Sequence, residues 1–232
     1  MRFCRCEMLI GADALENLKN SSVAVFGVGG VGGYVVEALT RSGVGRIAII
    51  DKDVVDESNI NRQIVALTST IGKNKVDVMK QRMLDINPGV KVEAHCEFYL
   101  PDNADFIELG SFDYVVDAID NVTAKIELIK RCKQADVPII SAMGAGNKLD
   151  PTRIEIADIS KTSVCPLAKV IRRKLADLGI EGVTVAYTRE IPATASGGRT
   201  PASMMPVPAA MGLTMASKVL RDLSGMRIKS KS

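Results

Sequence analysis

Short apolar blocks alternate along this chain with stretches in which apolar positions recur at helical spacing. The first block, Val23-Ala-Val-Phe26, runs into closely spaced glycines, Gly27-Val-Gly-Gly-Val-Gly32, and a helical pattern covers 31–40. That order predicts strand, tight turn, helix. Further apolar blocks over 46–51, 90–94, 112–118 and 137–142 predict four more strands. Between them, 72–87 reads as a helix with Val76, Met79, Met83 and Ile86 on one face. Residues 123–135 read as another helix, and 101–109 as a short one. Apolar strands alternating with helices predict a doubly wound, mostly parallel α/β sheet with helices on both faces.

The pattern changes after residue 150. Residues 153–159 alternate, which predicts an antiparallel strand, and 183–188 form another strand. Residues 164–178 predict a basic amphipathic helix carrying Lys169, Arg172, Arg173 and Lys174. Residues 191–208 are rich in Pro, Ala, Ser, Thr and Gly and are expected to form a mobile loop. A last helix is expected over 212–223, and the basic tail 229–232 is expected to be disordered. Ahead of the first strand, 11–19 predict a short amphipathic helix with Leu15 and Leu18 apolar, and Arg2 and Arg5 lie on a polar N-terminal stretch.

At 232 residues, 47% of them hydrophobic, the chain suits one compact domain or a large domain with an appendage. Five Phe, four Tyr and no Trp make the expected core aliphatic. A net charge of +3 permits a nucleic-acid partner without requiring one. The five cysteines, Cys4, Cys6, Cys96, Cys132 and Cys165, are scattered without a C-x-x-C pair, which argues against a disulfide scaffold or a structural zinc. No signal-peptide-like apolar region opens the chain and no apolar run is long enough to span a bilayer, so a cytoplasmic setting with no membrane partner is expected.

Gly27, Gly29 and Gly32 form a G-x-G-x-x-G pattern, in which the glycines allow the turn, the approach of backbone to a phosphate, and close helix–strand packing. The helix that follows offers its N-terminus to an anion. Asp51, ending the second strand, is placed to bind ribose hydroxyls. The polar loop 51–63 leaves the carboxyl end of a parallel strand, where open α/β sheets bind ligands. Lys73 and Lys75 open a helix, where a cation opposes the dipole unless an anion sits beside it; a solvated lysine is the plain alternative. Asp117 and Asp120 are delivered to the same edge, where one could hold Mg²⁺ between triphosphate oxygens, although Asp120 or Asn121 could equally cap the next helix. His95 stands alone and reads as structural or exposed. A dinucleotide remains an open alternative on the glycines alone.

Taken together, Gly27 to Gly32, Asp51-Lys-Asp53, Asn59-Ile-Asn-Arg-Gln63, Lys75 and Asp117-Ala-Ile-Asp-Asn121 resemble the ThiF/MoeB family, relatives of the ubiquitin-activating enzymes, in family order over about the first 145 residues. The resemblance implies a Rossmann-like sheet that binds ATP and adenylates a carboxylate. Arg2-Phe3, Gly144-Ala-Gly146, Asp150-Pro151, Asp158-Ile-Ser-Lys-Thr162 and Cys165-Pro-Leu-Ala168 are similar to the tRNA threonylcarbamoyladenosine dehydratase branch, and this likeness extends over most of the chain. It implies ATP-dependent cyclisation of threonylcarbamoyladenosine in tRNA. By the same resemblance residues 1–148 are the ATP-binding part, and residues 149–232 serve substrate binding and dimerisation. Asp51 would bind the ribose; Asn59, Arg62 and Lys75 the phosphates; Asp120 the Mg²⁺. Gly27, Gly29, Gly30, Gly32, Asp53, Gln63 and Asn121 would complete the nucleotide site. Arg5, or Arg2 in its place, matches an arginine finger reaching the other subunit of a homodimer. A cysteine desulfurase or a sulfur-acceptor protein is a further partner the resemblance admits.

The chain lacks the paired C-x-x-C motifs of relatives that activate sulfur carriers, and its Ser196-Gly-Gly-Arg-Thr200 stretch departs from the expected substrate loop. Cys165 is either a thioester-forming nucleophile or an incidental thiol. The alternatives to the dehydratase are an adenylyltransferase for a ubiquitin-like sulfur carrier, an NAD-dependent oxidoreductase, and a nucleotide-sensing scaffold. The dehydratase reading expects the basic helix and Arg199 to contact tRNA phosphates.

Overall fold

The computed structural model describes residues 2–193 and 201–226. Arg199, the 196–200 stretch and the tail 229–232 therefore lie outside the described residues. Six strands run parallel: β1 (Ser22–Phe26), β2 (Arg46–Ile50), β3 (Lys91–His95), β4 (Tyr114–Asp117), β5 (Ile139–Ala142) and β7 (Thr184–Thr188). β6 (Ile154–Asp158) pairs antiparallel with β7, and the sheet order is β3-β2-β1-β4-β5-β7-β6. The expected parallel sheet with an antiparallel extension is the one found.

Both faces of the sheet are covered, which is why its strands are apolar at nearly every position. Along β1, Val23 and Val25 enter the core under α3 (Gly32–Arg41), α4 (Lys75–Ile86) and α7 (Pro206–Ser224). Ala24 and Phe26 enter the core under α5 (Val122–Gln134) and α6 (Pro166–Asp177). In α4 the spaced residues Val76, Met79 and Met83 are buried, each contributing about 1.5–3 kcal/mol by leaving water. Among the described residues no helix is long and apolar enough to cross a membrane.

Three local expectations change. The N-terminal stretch forms a helix, α1 (Cys4–Ile10), ahead of α2 (Ala12–Asn20). Arg2 Nη1 donates to Ile86 O at 2.5 Å, where a cation suits the carboxyl end of α4, and the Phe3 ring lies against Gly43. The short helix expected over 101–109 is replaced by single 3-10 turns at Ala104–Phe106 and Leu109–Ser111. Asn103 folds the approach to them, accepting from Leu100 N at 2.8 Å and donating to Phe98 O at 2.5 Å. The last helix begins at Pro206, inside the expected loop, because Pro206 and Pro208 occupy the first turn, where a missing N–H costs nothing.

Candidate active site

The strand order reverses between β1 and β4, and a cavity of about 600 Å³ opens there at the carboxyl ends of the strands. Gly27 turns out of β1 with φ +87°, and a Cβ on it would lie 2.6 Å from Ala118 O, beyond the end of β4. A Cβ on Gly32 would lie 1.8 Å from Gly27 O. The two strand ends and the first turn of α3 are thus in backbone contact that no side chain could enter. The amides of Gly29, Gly30 and Val31 find no acceptor among the described residues, and all three residues line the cavity. Unsatisfied amides at a helix N-terminus suit an anion.

Asp51 closes one end of the cavity. Its Oδ2 accepts from Val28 N at 2.7 Å and its Oδ1 from Asp53 N at 2.9 Å, so the carboxylate is fixed in direction. Burial raises its pKa above the ordinary aspartate value, against the opposing pull of those two amides and of Lys75. Lys75 is buried and donates from Nζ to Asp53 Oδ2 at 2.9 Å, the only acceptor it finds among the described residues, leaving further donors for a ligand. Arg62 is held by Ser58 O at 2.8 Å and Asn61 Oδ1 at 2.9 Å. Asn59 is buried, its Oδ1 accepting from Asp56 N, and it stiffens the loop that carries Arg62. Gln63 is buried with Oε1 unpartnered, its amide 3.7 Å from the Cβ position of Gly29. A buried carbonyl without a donor calls for a ligand or water to supply one. The exposed Asp120 carboxylate has no partner among the described residues.

The structure brings Gly27, Gly29, Gly30, Asp51, Asp53, Asn59, Arg62, Gln63, Lys75 and Asp120 to this cavity. Three residues expected at the site stand apart from it. Gly32 packs on Gly27 behind the wall. Asn121 accepts from Ala124 N at 3.0 Å and caps α5, a role that uses its side-chain oxygen. Arg5 sits exposed on α1, outside the cavity. Arg2, the substitute for Arg5, is engaged with Ile86 of its own chain. Cys165 is buried and does not line the cavity.

Asp117, expected at the same edge as Asp120, is fully buried behind the cavity and does not line it, and the lysine that pairs with it carries no sequence signal. Lys125, on α5, is fully buried and reaches Asp117 Oδ2 at 3.0 Å, Ser141 Oγ at 3.3 Å and Ala142 O at 2.7 Å. Asp117 Oδ1 in turn accepts from Ile119 N at 3.1 Å, which sets the turn leading to Asp120. Phe98 and Tyr99 line the Asp51 end, with the Lys52 ammonium 4.1 Å above the Phe98 ring. Pro201 and Ser203 also line the cavity, Ser203 O accepting from Asn61, the neighbour of Arg62.

The donors and acceptors present fit a nucleoside triphosphate with a divalent cation. Among the described residues no cluster of three or more His, Cys, Asp or Glu could hold a metal, so a cation here would share Asp120 with phosphate oxygens, as Mg²⁺ does.

The profile of the ThiF family matches residues 3–232. A tRNA threonylcarbamoyladenosine dehydratase of Bacillus subtilis (strain 168) is 47% identical over 252 residues, covering 99% of this chain and 99% of that protein. The crystal structure of the Escherichia coli tRNA N6-threonylcarbamoyladenosine dehydratase TcdA in complex with ATP superposes with a TM-score of 0.91 at 34% identity, over 97% of this chain and 94% of that one. The same enzyme in complex with AMP gives the same values.

Proposed function

Because this chain belongs to the ThiF family, we propose that it is an ATP-dependent tRNA threonylcarbamoyladenosine dehydratase. The carboxylate of the threonylcarbamoyl group attacks the α-phosphorus of ATP and expels pyrophosphate. The resulting acyl-adenylate is attacked by a group of the same substituent, which closes the ring and releases AMP. A carboxylate is unreactive because its leaving group would be oxide; AMP is a far better one. Tethering of the attacking group removes the need for an enzyme nucleophile, which agrees with a Cys165 that is buried and does not line the cavity.

The observation that carries this reading is the convergence of Asp51, Arg62, Lys75 and Asp120 on one glycine-walled cavity. Asp51 receives the ribose hydroxyls. The free amides of Gly29 to Val31 and the N-terminus of α3 receive phosphate oxygens. Arg62 and Lys75 neutralise charge that develops on the transferring phosphoryl group. Asp120 holds Mg²⁺, which supplies further neutralisation when bound. A homodimer brings Arg5 of a second copy to this site, since Arg2 is spent on its own chain. Residues 149–226 carry the tRNA-facing surface. On α6, Lys169, Arg173 and Lys174 are exposed for phosphate contact, whereas Arg172 turns inward to Thr162 O and Oγ1, both at 2.8 Å. The compartment is the one that holds tRNA and ATP, the cytoplasm, and a cysteine desulfurase or sulfur acceptor is an additional partner there.

Mass spectrometry of tRNA nucleosides after incubation with protein, ATP and Mg²⁺ tests the reading. Loss of one water from threonylcarbamoyladenosine is expected. Unchanged nucleoside, together with ATP–pyrophosphate exchange that requires a protein ending in Gly-Gly, would assign the sulfur-carrier adenylyltransferase instead.

A further inference from the structure

One wall of the cavity is borrowed from a distant part of the chain. Pro201 and Ser203 line it, and Ser203 stands beside Asn61, the neighbour of Arg62. Asn61, next to Arg62, donates from Nδ2 to Ser203 O at 2.8 Å. The stronger attachment is at Asn147. Its N–H donates to Ala202 O at 2.7 Å, and its Oδ1 accepts from Ala202 N at 2.7 Å. Its own carbonyl accepts from Ala193 N at 2.7 Å. These bonds need the left-handed backbone that Asn147 adopts, φ +59°, a region that Asn, Asp and Gly enter at least cost. They draw the wall in so far that a Cβ on Gly146 would stand 2.7 Å from Pro201 Cβ. Asn147 itself does not line the cavity.

The nucleotide's ribose belongs at Asp51 and its phosphates near Arg62, so the acceptor carboxylate has to approach on the phosphate side, where this wall stands. We propose that Asn147 is a positioning residue for the tRNA-borne substituent: by clamping Ala202 it sets Pro201 against Gly146 and Ser203 beside Asn61, and so fixes where that substituent meets ATP. The proposal rests on the dehydratase reading for its substrate, but not for the clamp.

Three variants separate the clamp from general stability. Asn147→Asp keeps both the left-handed backbone and an acceptor oxygen, and it should retain wild-type behaviour. Asn147→Gly keeps the backbone and loses the acceptor; its kcat/KM for tRNA should fall about fivefold, the size of one net hydrogen bond. Asn147→Ala loses both and should fall further. ATP affinity measured without tRNA should be the same in all. Hydrogen exchange should show Ala202 N–H losing protection in Asn147→Gly while Ala193 N–H, bonded to the main chain, keeps it. Overturning results are an Asp variant as impaired as Ala, a Gly variant equal to wild type, or ATP affinity falling in step with kcat/KM for tRNA. If the wild-type protein cyclises nothing, the assigned reaction falls instead. The exchange contrast at Ala202 still decides the clamp, and equal protection in wild type and Asn147→Gly overturns it.

Discussion

The Lys125–Asp117 pair offers the sharpest test of how the site is supported. Both side chains are fully buried, and the ammonium is shared among Asp117, Ser141 and the Ala142 carbonyl. Lys125→Met fills similar volume but strands the Asp117 carboxylate, which keeps Ser141 Oγ at 2.5 Å and Ile119 N at 3.1 Å as its only described partners. Breaking a buried pair from one side costs about 3–5 kcal/mol. For a chain of this length that lowers Tm by about 6–20 °C. Replacing both charges, Lys125→Met with Asp117→Asn, removes the stranded charge and should recover at least about half of the loss. Thermal and urea unfolding followed by circular dichroism measure both. A single variant losing less than about 1 kcal/mol, or a double variant at the sum of its parts, would refute the reasoning. Because Asp117 sets the turn to Asp120, Lys125→Met should also lose turnover at temperatures where it is still folded.

Other consequences can be checked at the bench. Gly32→Ala puts a Cβ 1.8 Å from Gly27 O and should destabilise by about 3 kcal/mol or more, visible as a lowered Tm and lost ATP binding. Asp51→Asn should weaken ATP binding by about 10–150-fold in calorimetry, the range for hydrogen bonds to a charged group. Since burial raises the Asp51 pKa, its carboxylate takes up a proton at a higher pH than an ordinary aspartate does. ATP affinity should therefore decline as pH falls through that raised pKa, and Asp51→Asn should flatten this part of the profile. Replacing Lys169, Arg173 and Lys174 together by Ala should reduce the salt slope of tRNA binding by about 2–3, without altering ATP affinity.

What could be read in advance and what could not divide along physical lines. The apolar β1 block, the spaced residues of α4 and the Gly27–Gly32 turn carry local signals, because strand burial, helix periodicity and positive φ each restrict residue type at fixed spacing. Lys125 was invisible: on a helix it looks like any solvated lysine, and only the meeting of β4, β5 and α5 buries it. Asn121 shows the opposite ambiguity, since it has two plausible uses and the structure employs the local one, a helix cap; Arg172, expected on the basic face of its helix, turns inward to clasp Thr162, a partner no spacing points to. The Pro201–Ser203 wall lies far along the chain from Asn61 and Asn147, and no periodicity links them. The early start of α7 was hidden by its prolines, which read as loop until the first-turn exemption is applied.

The central claim is that the threonylcarbamoyl carboxylate, and not a nucleoside oxygen, receives the adenylyl group. Labelling that carboxylate with ¹⁸O in the tRNA and following the label after turnover tests it most directly. Attack on the α-phosphorus followed by ring closure leaves one labelled oxygen in AMP. Label recovered in inorganic phosphate, or AMP free of label beside a cyclised product, would contradict the account.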